Sequence, residues 1–118
     1  MMTAQEFRSK TCQPCEGGVE PLSRAQAEEY LGVSDRWTLS PDAKEISKQF
    51  VMRDFLAAVD FINAIARVAE EEDHHPDLHL TGYRTLTIRL ATHAIQGLSQ
   101  NDFILAAKID ALPKQLKP

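Results

Sequence analysis

An α+β fold, built on a four-stranded antiparallel sheet with helices packed on one face and oligomerising through sheet edges, is what this sequence predicts. Three observations lead there. Two pairs of short β-favouring segments flank one long helical stretch, that stretch repeats apolar residues every three or four positions, and 118 residues suit one core. Runs of strands split by a helix favour an antiparallel sheet with its helices segregated to one side. A domain this small leaves sheet edges and a bare face to cover, so the expectation is a homo-oligomer, dimer or tetramer.

Residues 1–22 contain Pro14, Gly17, Gly18 and Pro21 without sustained periodicity, and read as an arm ahead of a single domain over 23–118. Ser23, with Gln26 three positions on, is a capping-box pair that opens a short helix ending at Gly32. Trp37–Leu39 and Ile46–Phe50 are short β-favouring segments, and Ser40-Pro41-Asp42 between them suits a hairpin turn. From Asp54 to about Glu72 the residues Phe55, Val59, Ile62, Ala66 and Ala69 share one helical face, widened by Ala58, Phe61, Ile65 and Val68. This helix should end near Asp73, because Pro76 disfavours helical geometry in His75. Leu78–Leu80, a turn at Thr81-Gly82, and the alternation of Leu86, Ile88 and Leu90 within Tyr83–Thr92 give the second strand pair. Gly97 breaks the chain, and Ser99 with Asp102 starts a last helix that Pro113 closes.

Composition narrows the function. The chain is 43% hydrophobic and 25% charged, an ordinary globular balance. A net charge of -4, with no Lys/Arg stripe, argues against direct nucleic-acid binding. The first ten residues carry charges where a secretory signal needs an apolar run, and no stretch is long enough to span a membrane, so the expected location is cytoplasmic. Cys12 and Cys15 form a lone Cys-x-x-Cys without the second pair of a zinc ribbon or the strand-helix setting of a redox site.

All four histidines lie between positions 74 and 93. Imidazole titrates near neutrality, so a pair can hold one proton to donate and one site to receive. Each also has a plainer reading. His74 and His75 at a helix exit suit C-terminal caps that favour positive charge. His93, at a strand end, is equally compatible with a structural role, and His79 points away from Leu78 and Leu80 and carries no catalytic expectation. Histidines near Glu70–Asp73 also raise a metal site, but Pro76 argues against a helix spanning His75 and His79, and no metal is expected.

The spacing is more specific than any one histidine. Glu70-x-x-x-His74-His75-Pro76, six residues, Tyr83, nine residues, His93, eight residues and Asp102 resembles the signature of the pterin-4a-carbinolamine dehydratases. His75-Pro-Asp-Leu-His-Leu-Thr81, Gly97 to Asp110 and Cys12-x-x-Cys15-Glu-Gly-Gly18 resemble the bacterial branch, so the likeness runs from about residue 10 to the end. The spacing from Pro76 to Tyr83 differs by one residue from the animal form.

The resemblance implies a four-stranded antiparallel sheet in dimers or tetramers, in agreement with the pattern reading. It implies dehydration of 4a-hydroxytetrahydropterin to the quinonoid dihydropterin and water. The pterin is then the substrate, no separate cofactor is expected, and a pterin-dependent aromatic amino acid hydroxylase is the implied partner. By motif position His74 and His93 resemble the acid/base pair and His75 an assisting histidine. Glu70, Asp73, Thr92 and Asp102 resemble substrate-binding positions, where a carboxylate either binds the pterin or orients a histidine. The rival reading is a non-catalytic relative, an assembly factor or coactivator-type scaffold; the intact histidines favour an enzyme.

Overall fold

The expected strands and helices form in order around one continuous apolar cluster. The computed structural model describes residues 3–13, 20–32 and 36–118. Its elements are α1 (Ala4–Ser9), α2 (Arg24–Leu31), β1 (Thr38–Leu39), β2 (Ile46–Val51), α3 (Phe55–Glu72), β3 (Asp77–Thr81), β4 (Thr85–Leu90) and α4 (Gln100–Ala111), with a 3₁₀ turn at His93–Ile95. Among the described residues four strands make one sheet in the order β1-β2-β4-β3, every neighbouring pair antiparallel. The last strand in sequence therefore lies inside the sheet. The chain leaves β2, crosses through α3 to β3, and returns as β4 between them.

Alternation decides which face is covered. Ile46 and Phe50 of β2 and Leu86, Ile88 and Leu90 of β4 are buried, and Leu78 and Leu80 of β3 pack against the same cluster. Phe61, Ile65, Phe103 and Leu105 cover them from α3 and α4. Each such buried side chain contributes about 1.5–3 kcal/mol relative to an exposed one. The opposite face carries Ser47, Gln49, Asp77, His79, Thr87 and Arg89, all half-buried or exposed. The helices thus lie on one face, as the patterning predicts.

Helix ends follow their caps. The Ser23 box with Gln26 and the Ser99 box with Asp102 both form, and Asp54 caps α3 by accepting the Ala57 N–H at 2.8 Å. α3 stops as foreseen, at Asp73, whose φ of 50° is left-handed.

Two expectations need correction, and one segment to which the sequence assigned no structure gains it. In α3 the seam that meets the core is Ala57, Ala58, Phe61, Ile65 and Ala69, whereas Phe55 is 56% exposed and Ala66 is exposed. Both apolar sets have helical spacing, and the phase is chosen by tertiary contact: Phe61 stacks edge-on against Phe50 at 5.2 Å. β4 is shorter than Tyr83–Thr92. Tyr83, at φ 57°, belongs to the turn, which Arg84 ties down by donating to the carbonyls of Met52 and Arg53. The arm, finally, contains a helix. Thr3 caps α1 by accepting the Glu6 N–H at 3.1 Å, and the fully buried Phe7 packs against Tyr30 and Phe103.

Candidate functional site

Three connections converge at the end of the sheet where β3 begins and β4 finishes. The exit of α3 brings Asp73, His74 and His75. A loop after β4 brings Thr92 and His93, and the first turn of α4 brings Asn101 and Asp102. The β4 loop is closed by a bridge between Thr92 and Gly97, with the Thr92 N–H donating to the Gly97 carbonyl at 2.8 Å. A Cβ on Gly97 would stand 2.6 Å from Pro21 Cβ, so the close approach of the chain there requires glycine. His93 is thereby displayed, exposed, at the start of a short closed loop.

His74 is the most constrained histidine of the site. Its side chain is 11% exposed, and Nε2 lies 2.7 Å from Oδ1 of Asp102, which is fully buried. With Asp102 ionised, Nε2–H donates and Nδ1 is left for a ligand. The other carboxylate oxygen accepts the Thr92 hydroxyl at 2.8 Å and the Ser99 N–H at 3.0 Å. The Thr92 and Ser99 hydroxyls are themselves 2.8 Å apart. A buried carboxylate with this many partners is fixed in place, and it fixes the ring beside it.

His75 is held differently. Its Nε2 is 2.5 Å from Glu70 Oε2, one turn back on α3, and both side chains are largely exposed. An exposed pair of this kind adds little to stability but limits the ring's orientation.

A cleft of about 380 Å³ gathers Cys12, Gln13, Glu72, Asp73, His74, His75, Ala91, Thr92, His93, Ala94 and Asn101. A second of about 520 Å³, lined by Ser40, Asp42, Lys44, Glu45 and Gln96, shares Ala91, Thr92 and His93 with it, so His93 stands between the two. Of the residues expected from sequence, Asp73, His74, His75, Thr92 and His93 share the first cleft. Glu70 and Asp102 are outside its lining, each behind a histidine. His79 lies across from Thr87 on the open sheet face, away from the cleft. The arrangement can hold one imidazole in a set tautomer opposite a second, solvent-reachable one.

Sequence reasoning missed Cys12, Gln13, Glu72, Ser99 as a hydroxyl partner, and Asn101. Cys12 is buried, and burial, followed by the neighbouring Glu72 carboxylate, pushes its thiol up to about 12. Burial alone would raise Glu72, but the Cys12 N–H and the Lys108 ammonium outweigh it and hold the carboxyl below its ordinary value. Cys15 and the glycine pair after it lie outside the described residues. Among the described residues no group of three or more His, Cys, Asp or Glu side chains is placed to hold a metal ion. No helix among them is long and apolar enough to cross a membrane.

The chain is similar to known proteins over most of its length. The family model described as Pterin 4 alpha carbinolamine dehydratase matches residues 20–112. A protein of Halorhodospira halophila is 52% identical over 103 residues, covering 87% of this chain and 94% of its own. One from Dechloromonas aromatica is 44% identical over 112 residues, covering 95% and 97%. Both bear the name "Putative pterin-4-alpha-carbinolamine dehydratase". Among solved structures, a transcriptional coactivator/pterin dehydratase from Brucella melitensis superimposes with a TM-score of 0.73 at 30% identity, covering 78% of this chain and 97% of that one.

Proposed function

This chain belongs to the pterin 4 alpha carbinolamine dehydratase family, and from that premise we propose that it converts a 4a-hydroxytetrahydropterin to the quinonoid dihydropterin and water. One observation carries the reading beyond the family name. His74, His75 and His93 line a single cleft, and His74 is locked by a buried carboxylate.

The chemistry is two proton movements. An imidazolium protonates the 4a-hydroxyl as the C4a–O bond breaks, and a neutral imidazole takes the proton from N5 as the N5–C4a double bond forms. Water leaves, and proton exchange between the two rings through solvent restores the starting state. His74 and His93 are the pair in this proposal, with acid and base exchangeable between the two faces of the carbinolamine. His75, steadied by Glu70, assists in binding. Asp102 acts through His74 and Thr92 and does not meet the pterin itself. Asp73, in the cleft wall, is assigned the accepting of hydrogen bonds from pterin donor groups; its position in the lining supports that role.

In this reading the pterin is the substrate, no separate cofactor takes part, and a pterin-dependent aromatic amino acid hydroxylase supplies the carbinolamine. Pairing of copies through sheet edges, in the cytoplasm, completes it. β3 supports that assembly, because it is an edge strand. Stopped-flow absorbance on freshly generated carbinolamine tests the function directly. Acceleration over the uncatalysed loss of water is the expected result, and its absence overturns the proposal.

A scaffold role is the second reading, favoured by the coactivator wording attached to the Brucella melitensis structure. A protein that binds pterin without turnover supports it.

A further inference from the structure

The family match begins at residue 20, yet part of the cleft wall is built before that point. Cys12 and Gln13 line the cleft together with the three histidines. They are held there by a specific set of bonds. The Gln13 N–H donates to Asn101 Oδ1 at 2.9 Å, and Asn101 Nδ2 donates back to the Gln13 carbonyl at 2.5 Å. The carboxamide thus grips the Gln13 backbone at both of its polar groups, much as a neighbouring strand does. The Cys12 N–H donates to Glu72 Oε1 at 2.8 Å, while Lys108 donates to the other Glu72 oxygen at 3.2 Å. The Cys12 thiol reaches the Asn101 carbonyl at 3.6 Å.

These ties span the end of α3 and the first turn of α4, the segments that supply His74 and Asp102. Asn101 is only 6% exposed and immediately precedes Asp102. One helical turn therefore fixes the catalytic imidazole through one residue and the arm through the next. Phe7 anchors the segment from upstream, buried between Tyr30 and Phe103.

We propose that Cys12 and Gln13 form a built wall of the pterin site and that Asn101 is the positioning residue that sets it, so that the clamp governs substrate affinity and leaves the chemical step largely untouched. The inference rests on the dehydratase reading. Loss of a wall that supplies no proton donor or acceptor to the reaction weakens substrate and transition state alike, which raises KM without lowering kcat. A residue needed only for folding would lower the amount of active protein and leave KM where it was.

The test uses Asn101→Ala and Gln13→Pro, the latter removing the clamped N–H. Both are made with Cys15→Ser, so that Cys12 is the reporting thiol. Turnover of the carbinolamine is measured by stopped flow, affinity for a stable oxidised pterin by calorimetry, and iodoacetamide labelling of Cys12 by mass. The expected result is a KM and pterin Kd raised about fivefold or more, as for loss of a typical hydrogen bond, with kcat within about twofold and faster labelling. Unchanged KM in folded variants overturns the inference, whether or not labelling quickens. So does a fall in kcat at constant KM. If Asn101→Ala does not fold, Gln13→Pro, at an exposed position ahead of the family-matched region, decides the matter alone. Turnover by the unmodified protein with unaltered KM in the variants sinks the wall only. An unmodified protein that neither turns over nor binds pterin sinks the dehydratase reading and the wall with it.

Discussion

Asp102 holds His74 with one carboxylate oxygen and caps its own helix with the other. The 2.7 Å contact to Nε2 and the 3.0 Å contact from the Ser99 N–H belong to the same buried group, so the start of α4 and the orientation of the imidazole cannot vary separately. Asp102→Asn breaks this coupling. If the amide oxygen stays toward His74, its NH₂ faces the Ser99 N–H, donor against donor; if it turns, the NH₂ faces His74 and imposes the other tautomer. The expected cost is about 1–3 kcal/mol of stability, read by urea denaturation. Turnover should fall about tenfold or more, read by stopped flow. A variant with normal turnover would contradict the orienting role.

The two acid/base candidates should separate by stability. His74→Ala and His93→Ala are each expected to slow dehydration by about 10²–10⁴-fold, the usual contribution of a positioned proton donor or acceptor. His93 is exposed, so its loss should change stability by less than about 0.5 kcal/mol. Removing His74 leaves Asp102 buried without its ring partner, at a cost of about 1–3 kcal/mol. Thermal melts beside kinetics distinguish them, and normal rates in both variants would rule out the pair.

Acid should unfasten Glu72 before it affects the apolar core. The carboxyl sits below its ordinary value of 4.5 when folded, so its stabilisation is complete above that value and is lost as pH falls through the folded one. Glu72→Gln keeps an oxygen for the Cys12 N–H but gives up the charge facing Lys108. The stability difference between parent and variant should therefore be largest near neutrality and shrink below 4.5. Denaturation at a series of pH values checks this; a gap that stays constant into acid disproves it.

Cys12 behaves in the opposite sense. Its thiol, ordinarily at 9.0, is pushed up to about 12, so the folded state retains a proton that the unfolded chain releases, and stability falls as pH climbs past 9.0. In a Cys15→Ser chain at mildly alkaline pH, alkylation of Cys12 should be slow when folded and rapid in guanidinium. Equal rates in both states would show that the thiol is not protected.

Local rules carried much of the fold. Ser23, Asp54, Ser99 and Asp102 announce helix starts because capping is a short-range matter, and Leu86, Ile88 and Leu90 announce a half-buried strand by alternation alone. The phase of α3 was less accessible, since two apolar sets share its surface and tertiary contacts, Phe61 against Phe50 of a distant strand among them, choose between them. α1 carried a readable Thr3–Glu6 cap but is one and a half turns long, too short for periodicity to register. At the site, family spacing drew attention to His74, His75 and His93, and folding gathers them in one cleft. Gln13 and Asn101 escaped notice because their bond joins positions 88 apart, and nothing near either residue marks it.

The placement of β4 has a consequence for how the polypeptide emerges during synthesis. β2 and β3 are both complete before Thr85 is added, yet each has β4 as its partner on the inner side. Until Thr85–Leu90 has emerged and paired, neither strand has its inner neighbour, and whichever is already exposed keeps an open ladder of backbone N–H and C=O groups. Arrival of Thr85–Leu90 seals both at once, and the loop carrying His93 follows immediately behind. A released chain cut short before residue 85 should thus keep both ladders open and be the more prone to aggregate, whereas the full chain closes them.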